Sequence, residues 1–175
     1  LMRLSYAVIT MVDRDDLPDG GSHIWVKTIE AVRRVSPETK FETLIPDFKG
    51  IRENMDRVFA ARPDVLSHNL ETDRRLTRQV RVQAKYDRSL DVLRAAKEFG
   101  LRTKSGIMLG LGEDEEEVVE SMRDLRSSGT DVLTLGQYLQ PTKKHLPVVE
   151  FVHPDKFRKF RDIGLEMGFL FVESG

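Results

Sequence analysis

The chain contains no cysteine. That absence excludes disulfides, thiolate catalysis and cysteine-held iron–sulfur clusters within these residues. It has no long apolar run either; nothing approaches the ~20 residues that a membrane-spanning helix needs. No basic stretch leading into an apolar core opens the sequence, so no signal peptide is read. Neither sign of charge dominates: 28 basic and 29 acidic residues are interspersed and leave a net charge of −1. Such a balance gives no argument for a nucleic-acid partner. No Ser-His-Asp order, His-Glu-x-x-His motif or phosphate loop ending in Gly-Lys-Ser/Thr is found. What is there is 175 residues, 39% hydrophobic and 33% charged, enough for one globular domain with a real core. The first residue is Leu1, and Glu173-Ser174-Gly175 follows an apolar run directly. Both ends read as cuts inside a larger protein.

The pattern alternates strand and helix. Strands are expected at about 6–10, 40–45, 65–69, 103–109, 131–136 and 169–172, from apolar and β-branched runs bounded by Gly, Pro or Asp. Between them, Trp25, Ile29 and Val32 mark the inner face of a helix of about 14 residues. Met55, Val58 and Phe59 mark a second helix, over 51–61. A short helix is expected near 74–80. Asp87 is read as the N-cap of a helix over 88–99, closed by Gly100. Asp114 with Glu117 forms a capping box for the next, and Pro154 opens the last, whose Phe157, Phe160, Ile163 and Met167 face inward as core. Strands alternating with helices imply a parallel sheet, either doubly wound or a TIM-type barrel. Polar motifs follow at least four successive strands. A barrel gathers such motifs at one mouth, whereas a doubly wound sheet concentrates them at a switch point, so the barrel is preferred.

Four segments carry candidate chemistry. After the first strand come Thr10 and the acidic loop Asp13, Arg14, Asp15, Asp16 and Asp19. It reads equally as an oxygen-ligand cation site or as a loop whose Asp residues cap the next helix. At the third strand stands His68-Asn69-Leu70-Glu71. Alternation puts Asn69 and Glu71 on one face, fit to bind hydroxyl or ammonium groups, and His68 and Leu70 on the other. His68 is read as structural. The third segment, Lys104-Ser105-Gly106-Ile107-Met108-Leu109-Gly110-Leu111-Gly112-Glu113, is a glycine-rich strand-to-helix turn. The acidic run 113–117 would repel a phosphate, so Gly110 and Gly112 are read as admitting a flat ligand such as adenine. Lys104 is either a carboxylate partner or a surface lysine. The fourth, Gly136-Gln137-Tyr138-Leu139-Gln140-Pro141, is a loop with amide groups followed by the basic tip Lys143-Lys144-His145. That tip is a solvated loop or a steering patch for an acidic partner.

Together these segments resemble the lipoyl synthase family of radical S-adenosylmethionine (SAM) enzymes over nearly the whole chain. The resemblance implies a partial (β/α) TIM-type barrel occupying residues 1–175 as one incomplete domain. It implies SAM bound by Thr10, Asp13, Asn69, Glu71, Lys104, Gly106, Gly110, Gly112, Glu113, Gln137, Tyr138 and Gln140, with no protein side chain assigned as catalytic and none as a metal ligand. It also implies two [4Fe-4S] clusters, radical insertion of two sulfurs into a protein-bound octanoyl chain, and an octanoylated lipoyl-carrier protein as partner. Neither nucleic acid nor membrane is expected as a partner. The location implied is cytoplasmic, or mitochondrial in a eukaryote. The family's cluster cysteines and its Arg-Ser-Ser-Tyr segment are not among these residues, so these residues by themselves are expected to be inactive. Two further readings are a non-catalytic SAM- or carrier-binding remnant, and an unrelated metal-dependent barrel enzyme using Asp13, Asp16 and Glu71.

Overall fold

The computed structural model describes residues 4–175. Its elements run β1 (Tyr6–Thr10), α1 (Ser22–Val35), β2 (Lys40–Leu44), α2 (Arg52–Ala60), β3 (Val65–Ser67), α3 (Thr77–Val80), α4 (Tyr86–Glu98), β4 (Thr103–Leu109), α5 (Glu115–Ser127), β5 (Val132–Gln137), α6 (Pro154–Glu166) and β6 (Phe171–Ser174). The strands form one sheet in the order β1-β2-β3-β4-β5-β6, every pairing parallel. A doubly wound sheet would reverse its strand order at a switch point. This order runs straight through, as a barrel requires. Among the described residues β1 pairs only with β2 and β6 only with β5, so the barrel is open.

Alternation along the strands decides what each face holds. Phe41, Leu66, Ile107, Leu109, Leu133, Leu135 and Val172 are buried on the helix side of the sheet. One core cluster there joins Leu93, Met122, Leu125, Phe157 and Phe160 to β4, β5 and β6. The other joins Trp25, Ile29, Met55, Val58 and Phe59 to β2 and β3. The opposite, concave face alternates with these: Glu42 and Leu44 on β2, Lys104, Gly106 and Met108 on β4, Thr134 and Gly136 on β5. In register, Leu44 stands beside Ser67, Ser67 beside Lys104, and Lys104 beside Val132.

Most helix boundaries follow their sequence signals. Asp114 accepts from Glu117 N at 2.8 Å while Glu117 Oε2 accepts from Asp114 N at 2.9 Å, which completes the capping box. Pro154 occupies the first turn of α6, and the His153 ring accepts from Asp155 N. Two details differ. Helix α4 starts at Tyr86 with Lys85 as its N-cap, so Asp87 lies in the first turn and pairs with Arg74 instead. Strand β6 starts two residues late, because Gly168 turns the chain with a left-handed φ of 89° and drops Phe169 into the helix-side core. Among the described residues no helix is long and apolar enough to cross a membrane.

Candidate functional site

The concave face carries a cavity of about 310 Å³, within the usual span for small-molecule sites. Its lining includes Glu42, Asn69, Glu71, Lys104, Gly106, Met108, Thr134, Gly136 and Gln137. The site therefore gathers side chains from β2, the segment after β3, β4 and β5.

Its acidic member Glu71 sits where the β3 line is extended by a bridge to β4. Glu71 N donates to Gly106 O at 2.9 Å and Met108 N donates to Glu71 O at 2.8 Å. The residue holds a left-handed φ of 72°, which a non-glycine side chain adopts at an energetic cost. Burial pushes its carboxyl pKa up, and hydrogen bonding from Asn69 and the Arg81 charge oppose that rise. Arg81 also fixes the backbone here, donating to Asn69 O at 2.9 Å and to Ser89 Oγ at 3.2 Å. His68, the residue before Asn69, turns away to the helix side. Its Nδ1 meets Ile45 O at 2.9 Å and its Nε2 meets Ser89 Oγ at 2.9 Å. Burial lowers its pKa to about 4, so the ring stays neutral and structural, as its pattern suggested.

The floor is a polar cluster. Lys104 Nζ lies 3.0 Å from both carboxylate oxygens of Glu42, which is only 4% exposed. Ser67 Oγ donates to Glu42 Oε1 at 2.6 Å and Tyr6 OH to Oε2 at 3.0 Å. Burial and the Glu42 carboxylate push the Tyr6 phenol up to about 12. Lys104 is thus neither a surface lysine nor a free cation; its carboxylate partner is within the chain. Gly106 and Gly136 leave the wall flat. A Cβ on Gly136 would meet nothing nearer than Gly175 O at 3.9 Å. Beside them the buried Thr134 Oγ1 has no hydrogen-bond partner among the described residues.

Of the expected site residues, the cavity brings together Asn69, Glu71, Lys104, Gly106 and Gln137. Thr10 lies on the concave side one strand away, in register with Leu44. Asp13 lines a separate cavity of about 160 Å³ with Asp47, Lys49 and Arg81, and its carboxyl pKa is raised by burial and then by Asp15 and Asp47. The rest of the acidic loop is engaged locally. Asp16 pairs with Arg14, Asp15 with Lys49, and Asp19 accepts from Gly21 N and His23 N at the start of α1. Among the described residues no group of three His, Asp or Glu side chains converges to hold a metal ion.

Five expected ligand residues make structural contacts within the chain. The Glu113 carboxylate accepts from Gly110 N and Leu111 N, tying the turn. A Cβ on Gly110 would stand 2.3 Å from Glu150 O, so this glycine admits the chain's own loop. Gly112 has a left-handed φ of 105°, and its carbonyl accepts from Arg75. Tyr138 is buried against Leu76 and Leu111, its hydroxyl donating to Leu146 O at 2.9 Å. Gln140 is exposed and donates to His145 O. In the other direction, sequence reasoning missed Glu42, Met108, Thr134 and Gly136. An acidic residue alternating with Phe41 and Thr43 in a buried strand was the available signal for Glu42.

The sequence profile of the Radical SAM superfamily matches residues 2–125. The chain belongs to the radical SAM superfamily. Lipoyl synthase of Flavobacterium johnsoniae is 65% identical over 176 residues, covering 100% of this chain and 61% of the relative. Mitochondrial lipoyl synthase of Nematostella vectensis is 59% identical, over 100% and 60%. The chain therefore spans about three fifths of the length of these curated relatives. Among solved structures, a domain of pyruvate-formate lyase-activating enzyme from Bacteroides vulgatus superposes with a TM-score of 0.70 at 14% identity, over 95% of this chain and 98% of that one. Methylornithine synthase superposes with 0.68 at 19% identity, over 99% and 58%. At such identities the likeness is one of fold: this is a partial radical SAM barrel with its concave face open.

Proposed function

We propose that the concave face of this chain is the SAM-binding face of a lipoyl synthase. The observation that carries the reading is a strained, pKa-raised carboxylate at Glu71 beside a flat Gly106–Gly136 wall in one cavity. Identity of 65% to a curated lipoyl synthase supports the choice within the superfamily.

When bound, SAM supplies the radical chemistry, and the protein supplies binding, orientation and shielding. Asn69 and Glu71 accept from hydroxyl or ammonium groups of the ligand, and a ligand ammonium offsets the cost of burying ionised Glu71. Gly106 and Gly136 leave room for a planar base. The Glu42–Lys104 pair closes the floor and keeps its charges neutralised. Asp13 and Thr10 extend the ligand surface toward β1. An iron–sulfur cluster is a different matter, since these residues contain no cysteine and offer it no thiolate. The whole protein's reaction is then insertion of two sulfurs into an octanoyl chain carried by a lipoyl-carrier protein. It takes place in the cytoplasm, or in the mitochondrion of a eukaryote.

The test is genetic. A native gene carrying these residues should restore lipoate-independent growth to a strain lacking its lipoyl synthase, and Glu71→Ala should abolish the rescue at unchanged protein level. Growth rescue by neither form would overturn the lipoyl synthase assignment.

A further inference from the structure

Gln137, at the end of β5, has a fully engaged side-chain amide. Nε2 is 3.3 Å from Leu109 O, 2.9 Å from Tyr138 O and 3.1 Å from Glu150 O, and Oε1 accepts from Val152 N at 2.8 Å. Residues 138–153 leave the sheet and return at Glu150 and Val152, so one amide fastens both limbs of that loop to the strand ends.

Gly110 forms the other half of the joint. Its carbonyl accepts from Val149 N at 2.8 Å and Glu150 N at 3.3 Å. A Cβ there would stand 2.3 Å from Glu150 O and 2.6 Å from Gln137 Nε2. Within the loop, Leu146 and Val148 pack with Tyr138, Leu76 and Leu111, and Met108 packs against the same cluster. Met108 also lines the concave-face cavity. A continuous run of contacts thus leads from the Gln137 amide, through the docked loop, to one wall of the site.

We propose that Gln137 is a positioning residue that locks residues 138–153 onto the Gly110 turn and thereby fixes the Met108 wall of the cavity. The proposal rests on that cavity being the SAM site. Nothing in it requires Gln137 to touch the ligand, because its donors and acceptor already have protein partners.

The test compares the full chain with Gln137→Met, Gln137→Glu, Gly110→Ala and the Gln137→Met/Gly110→Ala double variant. Two quantities are read: amide hydrogen exchange at Val149, Glu150 and Val152 without ligand, and SAM affinity by calorimetry. Each single variant should speed exchange at those amides and weaken SAM binding by about tenfold, Gln137→Glu included because it lacks the NH₂ donors. The double variant should be no worse than the weaker single, since both changes unseat one joint. Faster exchange with unchanged affinity would reduce Gln137 to a loop staple and overturn the proposal, as would unchanged exchange. Absence of SAM binding in the unmodified chain would instead sink the site assignment itself, and the proposal with it.

Discussion

Glu42 and Lys104 face each other across the concave side of the sheet, with Lys104 Nζ 3.0 Å from each Glu42 oxygen. Glu42 is almost wholly buried, and Ser67 and Tyr6 donate to the same carboxylate. Removing one partner of such a pair leaves the other desolvated and uncompensated. Glu42→Gln is therefore expected to lower unfolding free energy by roughly 2–4 kcal/mol, the partial exposure of Lys104 keeping the loss toward the low end. Glu42→Gln combined with Lys104→Met should recover most of it. Urea titration of the two variants decides the matter, and an equal loss in both would contradict the pairing.

His68 gives the fold a definite pH dependence. Its pKa lies at about 4 in the fold, against an ordinary value of 6.5. The folded state favours the neutral ring, so this contribution is fully present above pH 6.5 and is lost as pH falls toward 4. The size of the loss is roughly 3 kcal/mol. His68→Gln should be less stable at pH 7, because it breaks the bonds to Ile45 and Ser89, yet show a flatter decline between pH 6.5 and 4. Melting temperature measured across that range checks the slope. Parallel declines would show that His68 does not carry it.

Asp114 and Glu117 predict a local effect. Arg75 clamps Glu117 through Nε at 2.6 Å and Nη2 at 2.8 Å, and it also donates to Gly112 O. That pairing, aided by Asp114 N, holds the Glu117 carboxyl at about 2. Asp114→Ala removes the N-cap of α5 and should cost about 1 kcal/mol. Glu117→Gln keeps an acceptor for Asp114 N and should cost less. Chemical denaturation of both variants tests the order.

Particular residues mark how far the sequence could be read. β4 was legible to the residue because Thr103, Ser105, Ile107 and Leu109 alternate with Lys104, Gly106 and Met108 between two breaks in the pattern. The opposition of Asn69 and Glu71 to His68 and Leu70 followed from the same period of two. Gly110 was legible as a point of close approach, but the identity of the approaching group was not. Glu150 is 40 positions away, and only the tertiary fold brings its carbonyl to that turn. The intrachain bonds of Tyr138, Gln140 and Glu113 were hidden for a related reason, since a polar side chain after a strand can equally serve the loop or a ligand. Glu42 went unassigned because its partner Lys104 is 62 residues away.

The central claim is that the Gly106–Gly136 wall of the concave face holds SAM. Gly136 lies in β5 and lines the cavity, and a Cβ there would meet no described residue beyond its chain neighbours closer than Gly175 O at 3.9 Å. Valine also suits a strand. The decisive measurement is SAM affinity of the unmodified chain and of Gly136→Val by isothermal titration calorimetry, with melting temperature recorded alongside. The account predicts saturable binding to the unmodified chain, at least about tenfold weaker binding to Gly136→Val, and no loss of melting temperature in the variant. Equal affinity in the two proteins would place the ligand elsewhere and contradict the assignment of this face.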